Sequence, residues 1–506
     1  MHFDRIGGLI SRETLRMTSA LQGYAGPTEA IPCIEGELEG AAFGDARLSA
    51  RLVSIGARLA ASRGAGLPKS IGDDSQLECA YRFFSNRRVM PHRMLAPHIR
   101  QTFLRIAKVR EALAVHDTTE LEFGGERRGL GPLSSGSRKG LFLHPTLAVA
   151  ADGTRLPLGL LGARFWTRPE SSPGRNKKKK KKLNGQASTR RAERESTRWH
   201  EQVQAAEDAK PDGVSLIHVA DRETDSFGMF QAVQGRRYVL RANHDRRVFA
   251  GDEPTRLRTA LERAAVIYCF EVGVPARKMK KQPGAEKTHP ERKSARVAKV
   301  SARGLHLELR EPYARNGTTL PINVVQVVEL EPPVGADRIE WILYTSEPVD
   351  TAEEIQWVID TYRARWVIEE FFKALKTGCA VQNLQLETYE ALRNAVALHL
   401  PIAWQLLLLR SVGRAQPDAP AEQVLTETQL QVLRTLGRRP LSARPTVGEA
   451  KIAIAVLGGY LVTKAKGPPG WITLGRGMHT LLSLEQGWIA GQAAARANGG
   501  GDPLEQ

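Results

Sequence analysis

The sequence has 506 residues, of which 42% are hydrophobic and 25% charged, and it carries a net charge of +18. This composition is ordinary for a globular chain of two to four domains and excludes a largely disordered protein. The positive excess favours a polyanionic partner, most simply DNA, although ribosomal and membrane-surface proteins share it. No apolar stretch looks long enough to span a bilayer and no signal segment is recognisable, so we expect a soluble, cytoplasmic protein with no membrane partner.

The four cysteines are far apart and lack the spacing of a metal site: Cys33, Cys79, Cys269 and Cys379. We interpret them as reduced core thiols, which excludes both a disulfide framework and a zinc site.

Residues 1–108 are predicted to form a helical domain. Asp45 is a plausible cap for a helix over 46–61, and Asp74-Ser75 precede a second helix over 76–84. Eight basic residues make this region a candidate DNA-binding module: Arg47, Arg51, Arg58, Arg82, Arg87, Arg88, Arg93 and Arg100. These side chains serve either phosphate contact or solubility, and the sequence leaves both readings open.

Residues 109–245 alternate between strands and helices. Strands are predicted over 112–116, 141–150, 155–166, 214–220 and 237–242, with a helix over 195–209. Asp152-Gly153 indicates a hairpin between the second and third strands. The lysine run 177–182 lies in a loop and is either a solvated tract or a grip on a DNA backbone.

The pattern changes at about residue 246 to short β runs, and we interpret 246–339 as an inserted β-rich region. A strand over 341–345 and a long helix follow, so that 340–415 completes the α/β domain. Residues 416–506 are predicted to be helical. This order of strands and helices predicts an RNase H-like α/β domain with a β-rich insertion, flanked by N-terminal and C-terminal helical domains.

The long helix is predicted over 350–378, with Asp350 and Glu353 as its capping box. At 100° per residue, one face is apolar and the other carries four functional groups in a row: Tyr362, Arg365, Glu369 and Lys376. An ordinary solvated face is the alternative interpretation. The spacing instead favours a single extended ligand, because a carboxylate for a metal beside cations for phosphate is what phosphodiester chemistry requires.

Two aspartates follow predicted strands and join Glu369 as candidate metal ligands. Asp117 follows the first strand and Asp221 follows the strand over 214–220, and ligands of open α/β sheets lie at the carboxyl ends of strands. Each aspartate alone could cap a turn. Together, the three carboxylates suit two Mg²⁺ ions, for which Mn²⁺ can substitute, and an oxygen-only ligand set selects such hard cations.

These residues resemble the bacterial cut-and-paste DDE transposases typified by insertion sequence four and transposon five. That group's signature is Tyr, two residues, Arg, three residues, Glu, six residues and Lys, which is matched by Tyr362, Arg365, Glu369 and Lys376. The segments VHDTT and DRETD look like those that carry the first and second catalytic aspartates, Asp117 and Asp221. The resemblance extends from Phe43-Gly44-Asp45 to Pro469-Gly470-Trp471. The lysine run is not part of the signature.

The resemblance implies a role for each region. Residues 1–108 would bind the terminal inverted repeats, and 416–506 would dimerise the enzyme across two DNA ends. Tyr362, Arg365 and Lys376 would hold phosphates, as would Arg241, and Trp341 would meet a flipped base when a DNA hairpin forms, unless it is a plain core tryptophan. The implied reaction is end cleavage by way of a hairpin, followed by transfer of the 3′-hydroxyl ends into target DNA.

Two alternatives remain at the level of sequence. One is a non-catalytic repressor derived from a transposase, which would not need three carboxylates facing DNA. The other is an RNase H-like nuclease that cuts without strand transfer.

Overall fold

The computed structural model describes residues 31–498 apart from 136, 170–196, 252, 275–276, 279–291, 294, 311–318, 335, 337 and 464–466. The lysine run 177–182 lies outside the described residues. The described chain forms a large mixed sheet with helical flanks, which confirms the predicted α/β class.

The N-terminal region is helical, with α1 (Ile34–Leu38), α2 (Ala46–Ala61), α3 (Leu67–Ile71), α4 (Asp74–Ser85) and α5 (Pro91–Val109). Asp45 caps α2, as predicted, by accepting a hydrogen bond from the backbone N of Arg47 at 3.0 Å. The second cap is Asp73 rather than the predicted Asp74. The apolar faces of these helices join the main core through residues such as Leu52 and Phe83.

The first part of the sheet comprises β1 (Glu111–His116), β2 (Thr119–Glu122), β3 (Gly131–Pro132), β4 (Lys139–Ala150), β5 (Pro157–Trp166), β6 (Ser215–Ala220) and β7 (Arg237–Arg241). Helices α6 (197–208) and α7 (Phe227–Ala232) accompany these strands. The order is β4-β1-β6-β7, with β4 antiparallel to β1 and the other neighbours parallel, and β5 pairs with β4 across the predicted hairpin. The carboxyl ends of β1 and β6 therefore meet at one edge of the sheet.

The β-rich region contains β8 (Arg247–Ala250), β9 (Glu253–Arg256), α8 (Leu257–Arg263), β10 (Tyr268–Val274), β11 (Arg277–Lys278), β12 (Arg292–Lys293), β13 (Arg296–Arg310) and β14 (Thr319–Glu329). It is followed by β15 (Glu340–Thr345). The sheet continues in the order β7-β15-β14-β13-β8-β9. Apart from the pair β11 and β12, this region thus extends the central sheet.

The predicted single helix over 350–378 is divided into α9 (Ala352–Ala364), α10 (Trp366–Lys373) and a π-helical turn, Ala374–Gly378. The predicted capping box is wrong by one position, because Thr351 and Glu354 form it. Asp350 instead bonds Nε2 of His306 at 2.7 Å. Arg365 stands at the junction of α9 and α10 with helical backbone angles.

Helix α11 (Tyr389–Ala415) ends the predicted α/β region, and the C-terminal region contains α12 (Glu427–Leu436), α13 (Val447–Leu457) and α14 (Trp471–Asn498). The apolar run that looked too short to span a bilayer belongs to α11. By length and composition α11 could cross a membrane, but 89% of its apolar window is buried inside the protein. Trp404 on α11 donates a hydrogen bond to the carbonyl of Pro157 at 2.9 Å, as expected of a core helix.

The four cysteines are free thiols. Only Cys379 is buried, and the prediction of core thiols is wrong for Cys33 and Cys269, which are exposed.

Candidate active site

Asp117 and Asp221 follow two adjacent parallel strands. In the register of β1 and β6, Val115 pairs with Val219, so both aspartates leave the same edge of the sheet. Each carboxylate accepts a backbone hydrogen bond from the loop that follows it. The N of Thr118 lies 2.7 Å from Oδ1 of Asp117, and the N of Glu223 lies 3.0 Å from Oδ1 of Asp221.

Arg365 joins the first aspartate to the third predicted carboxylate. Its Nη1 donates to Oδ2 of Asp117 at 2.9 Å, and its Nη2 donates to Oε1 of Glu369 at 2.7 Å. The Arg365 side chain is 6% exposed, against 16% for Asp117 and 25% for Glu369. The sequence predicted these residues as neighbours of one ligand; the structure shows that they also bind one another.

Burial, followed by the nearby charge of Asp221, raises the pKa of Asp117 to about 8, although Arg365 acts in the opposite direction. The buried site therefore disfavours the ionised form of Asp117. A bound cation would stabilise the ionised carboxylate, and carboxylate oxygens are the ligands that Mg²⁺ and Mn²⁺ prefer.

Within the described part of the chain, no three His, Cys, Asp or Glu side chains stand close enough together to hold a metal ion as they are. Two of the three predicted ligands instead bind Arg365. The carboxylate oxygens of Asp117, Asp221 and Glu369 are chemically suited to a hard divalent cation. In the structure, the side chains of Asp117 and Glu369 are positioned to bond the guanidinium of Arg365.

Tyr362 is buried, contrary to its expected place on an open polar face. Its ring contacts Trp341 edge to face at 5.6 Å between centroids, and the guanidinium carbons of Arg241 and Arg365 lie 5.9 and 6.0 Å from its centroid. Arg241 is itself buried at the end of β7. Four of the predicted site residues thus form one aromatic and cationic cluster beside the carboxylates, and the alternative of a solvated face is excluded for Tyr362 and Arg365.

Lys376 lies in the π-helical turn and is half-buried. Burial lowers its pKa, which the carboxylates of Glu120 and Asp117 partly oppose. The ammonium is therefore within electrostatic range of Asp117. Turns of this kind in helices occur frequently at functional sites.

The sequence analysis missed the residues that hold the two aspartate loops. Arg198 on α6 bonds both loops, through Thr118 and Glu223. Asp225, in the quoted segment DRETD, is buried and accepts hydrogen bonds from the backbone N of Asn243 and of His244 at 2.6 and 2.7 Å. In the sequence, the only indication of this role is that Asp225 is a second carboxylate four residues after the candidate ligand Asp221.

A buried polar chain also lies directly beneath Asp117. Nε2 of His116 is 3.0 Å from Nδ1 of His218, whose Nε2 is 3.0 Å from Oε1 of Glu207 on α6. Histidines inside otherwise apolar strands were the sequence signal, because a buried imidazole requires partners.

A mixed sheet with carboxylates after two adjacent parallel strands and on a later helix is consistent with the RNase H-like class of fold. Residues 165–404 match the family model described as transposase DDE domain, and residues 32–89 match that described as transposase DNA-binding. The chain is therefore similar to DNA transposases in its DNA-binding and DDE regions. Asp221 and Glu369 lie within the DDE match, whereas Asp117 precedes it.

Proposed function

We propose that this protein is a metal-dependent DDE transposase of the insertion sequence four and transposon five type. It would bind the terminal inverted repeats of an insertion sequence, cut there and join the freed 3′-hydroxyl ends to target DNA. The observation that carries the proposal is the bridge that Arg365 makes between Asp117 and Glu369, with the charge of Asp221 acting on Asp117, in a chain that matches both transposase domain models.

Asp117, Asp221 and Glu369 would hold the Mg²⁺ ions, for which Mn²⁺ would substitute. When bound, two such ions activate an attacking water or 3′-hydroxyl and stabilise the leaving oxygen. The raised pKa of Asp117 supports this assignment, because a buried carboxylate beside a second one is expected where a cation binds.

The chain's own cations would place the scissile phosphate. Arg365, Arg241 and Lys376 lie beside the carboxylates, and guanidinium and ammonium groups bind phosphate oxygens well. Arg365 also hydrogen-bonds Asp117 and Glu369, so its guanidinium would lie between the carboxylates and the DNA phosphate, with the ring of Tyr362 beside it.

We also propose that cleavage proceeds through a DNA hairpin and that Trp341 then stacks on a flipped base. Trp341 packs edge to face on Tyr362 and is only partly buried, so its ring is not fully enclosed. A flipped base stacked there would lie next to the phosphate-binding cluster, as hairpin formation requires.

We further propose a homodimer assembled through residues 416–506. The last part of α14 extends beyond its packing, and Ile489 is 53% exposed. As a DNA-binding enzyme, the protein would act in the cytoplasm at the nucleoid.

The test is cleavage of a plasmid that carries the element's own two ends, with Mg²⁺, by the wild type, by Asp117→Ala and by Asp212→Ala, an exposed carboxylate outside the site. We expect excised and joined DNA from the wild type and from Asp212→Ala only. Specific end binding without any cut product from the wild type would favour the repressor. Cleavage without joining to a second duplex would favour the nuclease.

A further inference from the structure

Arg198, near the start of α6, connects the loops that carry the two aspartates. Its Nε donates to Oγ1 of Thr118 at 3.2 Å, and its Nη2 donates to Oε2 of Glu223 at 2.7 Å. The residue is 8% exposed. Its guanidinium carbon lies 5.1 Å from the ring centroid of Trp166 and 5.5 Å from that of Trp199, so the fork is held between two aromatic side chains.

Both contacted residues act directly on a candidate metal ligand. The backbone N of Thr118 bonds Asp117, and the backbone N of Glu223 bonds Asp221. One rigid guanidinium therefore spans two loops, and each loop orients one carboxylate through a backbone hydrogen bond. Because the guanidinium is planar and its N–H groups point in fixed directions, Arg198 can fix the distance between the two loops. The flexible ammonium of a lysine could not do so.

The directions of the hydrogen bonds around Thr118 make this link specific. Arg198 can only donate, so the Thr118 hydroxyl accepts from it and gives its own proton to Nδ1 of His144, which is 2.9 Å away. Burial, followed by the nearby charge of Arg198, holds the pKa of His144 well below its ordinary value, so the imidazole is neutral and Nδ1 accepts. The ring of Trp199 packs edge to face on His144.

We propose that Arg198 is a positioning residue that sets the distance between Asp117 and Asp221, and so sets the affinity of the site for its divalent cations. This inference rests on the proposed function, because it concerns the same carboxylates. Its link to Asp117 and Asp221 runs through Thr118 and Glu223, whose backbone N atoms bond those two carboxylates. Groups of this kind typically change metal affinity about 10- to 100-fold when they are lost.

The experiment measures Mn²⁺ binding to the full-length chain without DNA, by titration calorimetry and by the electron paramagnetic resonance of free Mn²⁺. The variants are Arg198→Gln, Arg198→Lys, Thr118→Val and Thr118→Ser. We expect Arg198→Gln and Thr118→Val to bind Mn²⁺ about 10-fold or more weakly. Thr118→Ser, which keeps the hydroxyl, should bind close to the wild type, and Arg198→Lys should fall between. Cleavage by Arg198→Gln should recover at high Mn²⁺, since only the metal requirement changes.

Arg236→Gln is the matched control, because Arg236 also bonds α6, through Gln204, but at a site remote from the two loops. An equal loss of Mn²⁺ affinity in Arg236→Gln would overturn the inference by showing that general docking of α6 is responsible. Unchanged affinity in folded Arg198→Gln and Thr118→Val would also overturn it. If Asp117→Asn binds Mn²⁺ as the wild type does, the proposed metal site itself is wrong, and the inference fails with it.

Discussion

Nη1 of Arg365 donates a hydrogen bond to Oδ2 of Asp117 at 2.9 Å, although 248 positions separate the two residues. The same guanidinium bonds Glu369 on the next helical turn. Arg365 thus places a positive charge between two of the candidate ligands. The helical segment that brings Glu369 to the sheet also brings the guanidinium that bonds it.

Arg365→Gln should therefore destabilise the metal-free protein. Above pH 8, where Asp117 is ionised, removing Arg365 leaves the buried carboxylate without its cation, and losing one partner of a buried ion pair typically costs about 3–5 kcal/mol. We expect a loss of that order in the free energy of unfolding, measured by urea denaturation in EDTA, and a larger recovery on addition of Mg²⁺ than in the wild type. Arg363→Gln is the control, because Arg363 bonds Asp360 instead. Equal stability of Arg365→Gln and the wild type in EDTA would contradict the bridging role.

The raised pKa of Asp117 predicts an unusual dependence of stability on pH. The folded-state pKa of about 8 lies above the value of about 3.9 for an unfolded aspartate, so the folded protein binds the proton more tightly. Its stabilising contribution is full below pH 4 and is lost as pH rises through 8, at about 1.4 kcal/mol per pH unit. Asp117→Asn, which cannot ionise, should become more stable than the wild type at pH 8.5 in EDTA. Parallel stability curves for the two proteins between pH 5 and 9 would refute this prediction.

The sequence was informative where a local pattern determines the structure. Strand ends at Asp117 and Asp221 follow from short apolar runs, and parallel pairing then brings them together. The spacing of Arg365 and Glu369 places both on one helical face, as the structure shows. In each case the relevant interactions lie within one element or between strands of simple register.

The remainder depended on packing between distant parts of the chain. Tyr362 has a polar group and a polar neighbourhood on the helical wheel, yet α9 lies against the sheet and its ring is buried under Trp341. The contact of Arg198 with both aspartate loops spans several elements, so no spacing in the sequence reveals it. The continuation of the sheet through β14 and β13 is likewise a matter of tertiary pairing.

A buried network next to the DNA-binding domain should be sensitive to acid. Nδ1 of His98 bonds Oε2 of Glu37 at 2.5 Å, and its Nε2 accepts a hydrogen bond from the backbone N of Leu160 at 3.1 Å, so the ring is neutral. Burial lowers the pKa of His98, although Glu37 opposes this. The neutral His98 ring therefore contributes its full stability to the folded protein above about pH 6.5, the pKa of an unfolded histidine. This contribution is lost as pH falls towards the lower pKa of His98 in the folded protein.

Amide hydrogen exchange at Leu160 measures this effect. We expect protection of this amide to fall as pH is lowered below about 6.5, after correction for the intrinsic exchange rate, because a protonated ring can no longer accept its hydrogen bond. His98→Gln should start with weaker protection and lose this pH dependence. His92→Gln, which changes an exposed histidine on the same helix, should behave as the wild type. Protection that stays constant in the wild type would show that His98 does not titrate there.

Glu369 and Glu370 offer a matched pair of adjacent carboxylates. Glu369 faces Arg365 in the candidate site, whereas Glu370 bonds Lys373 at 2.5 Å and Arg410 at 3.5 Å on the other side of the helix. Glu369→Ala should abolish cleavage and leave DNA-end binding mostly intact, since it removes a metal ligand and no DNA contact. Glu370→Ala should cost stability but retain cleavage. Cleavage by Glu369→Ala, in a gel assay with plasmid substrate, would exclude it as a ligand.

Lys376 is expected to contribute one phosphate contact. Its ammonium lies near Asp117 and Glu120 in the half-buried π-helical turn, whereas Lys373, one helical turn earlier, is committed to Glu370. Lys376→Ala should weaken end binding and reduce the slope of log affinity against log salt by about one phosphate contact. Lys373→Ala should leave that slope unchanged. The comparison is made by measuring the affinity for end DNA over a series of salt concentrations, and equal slopes for Lys376→Ala and the wild type would remove Lys376 from the DNA-binding surface.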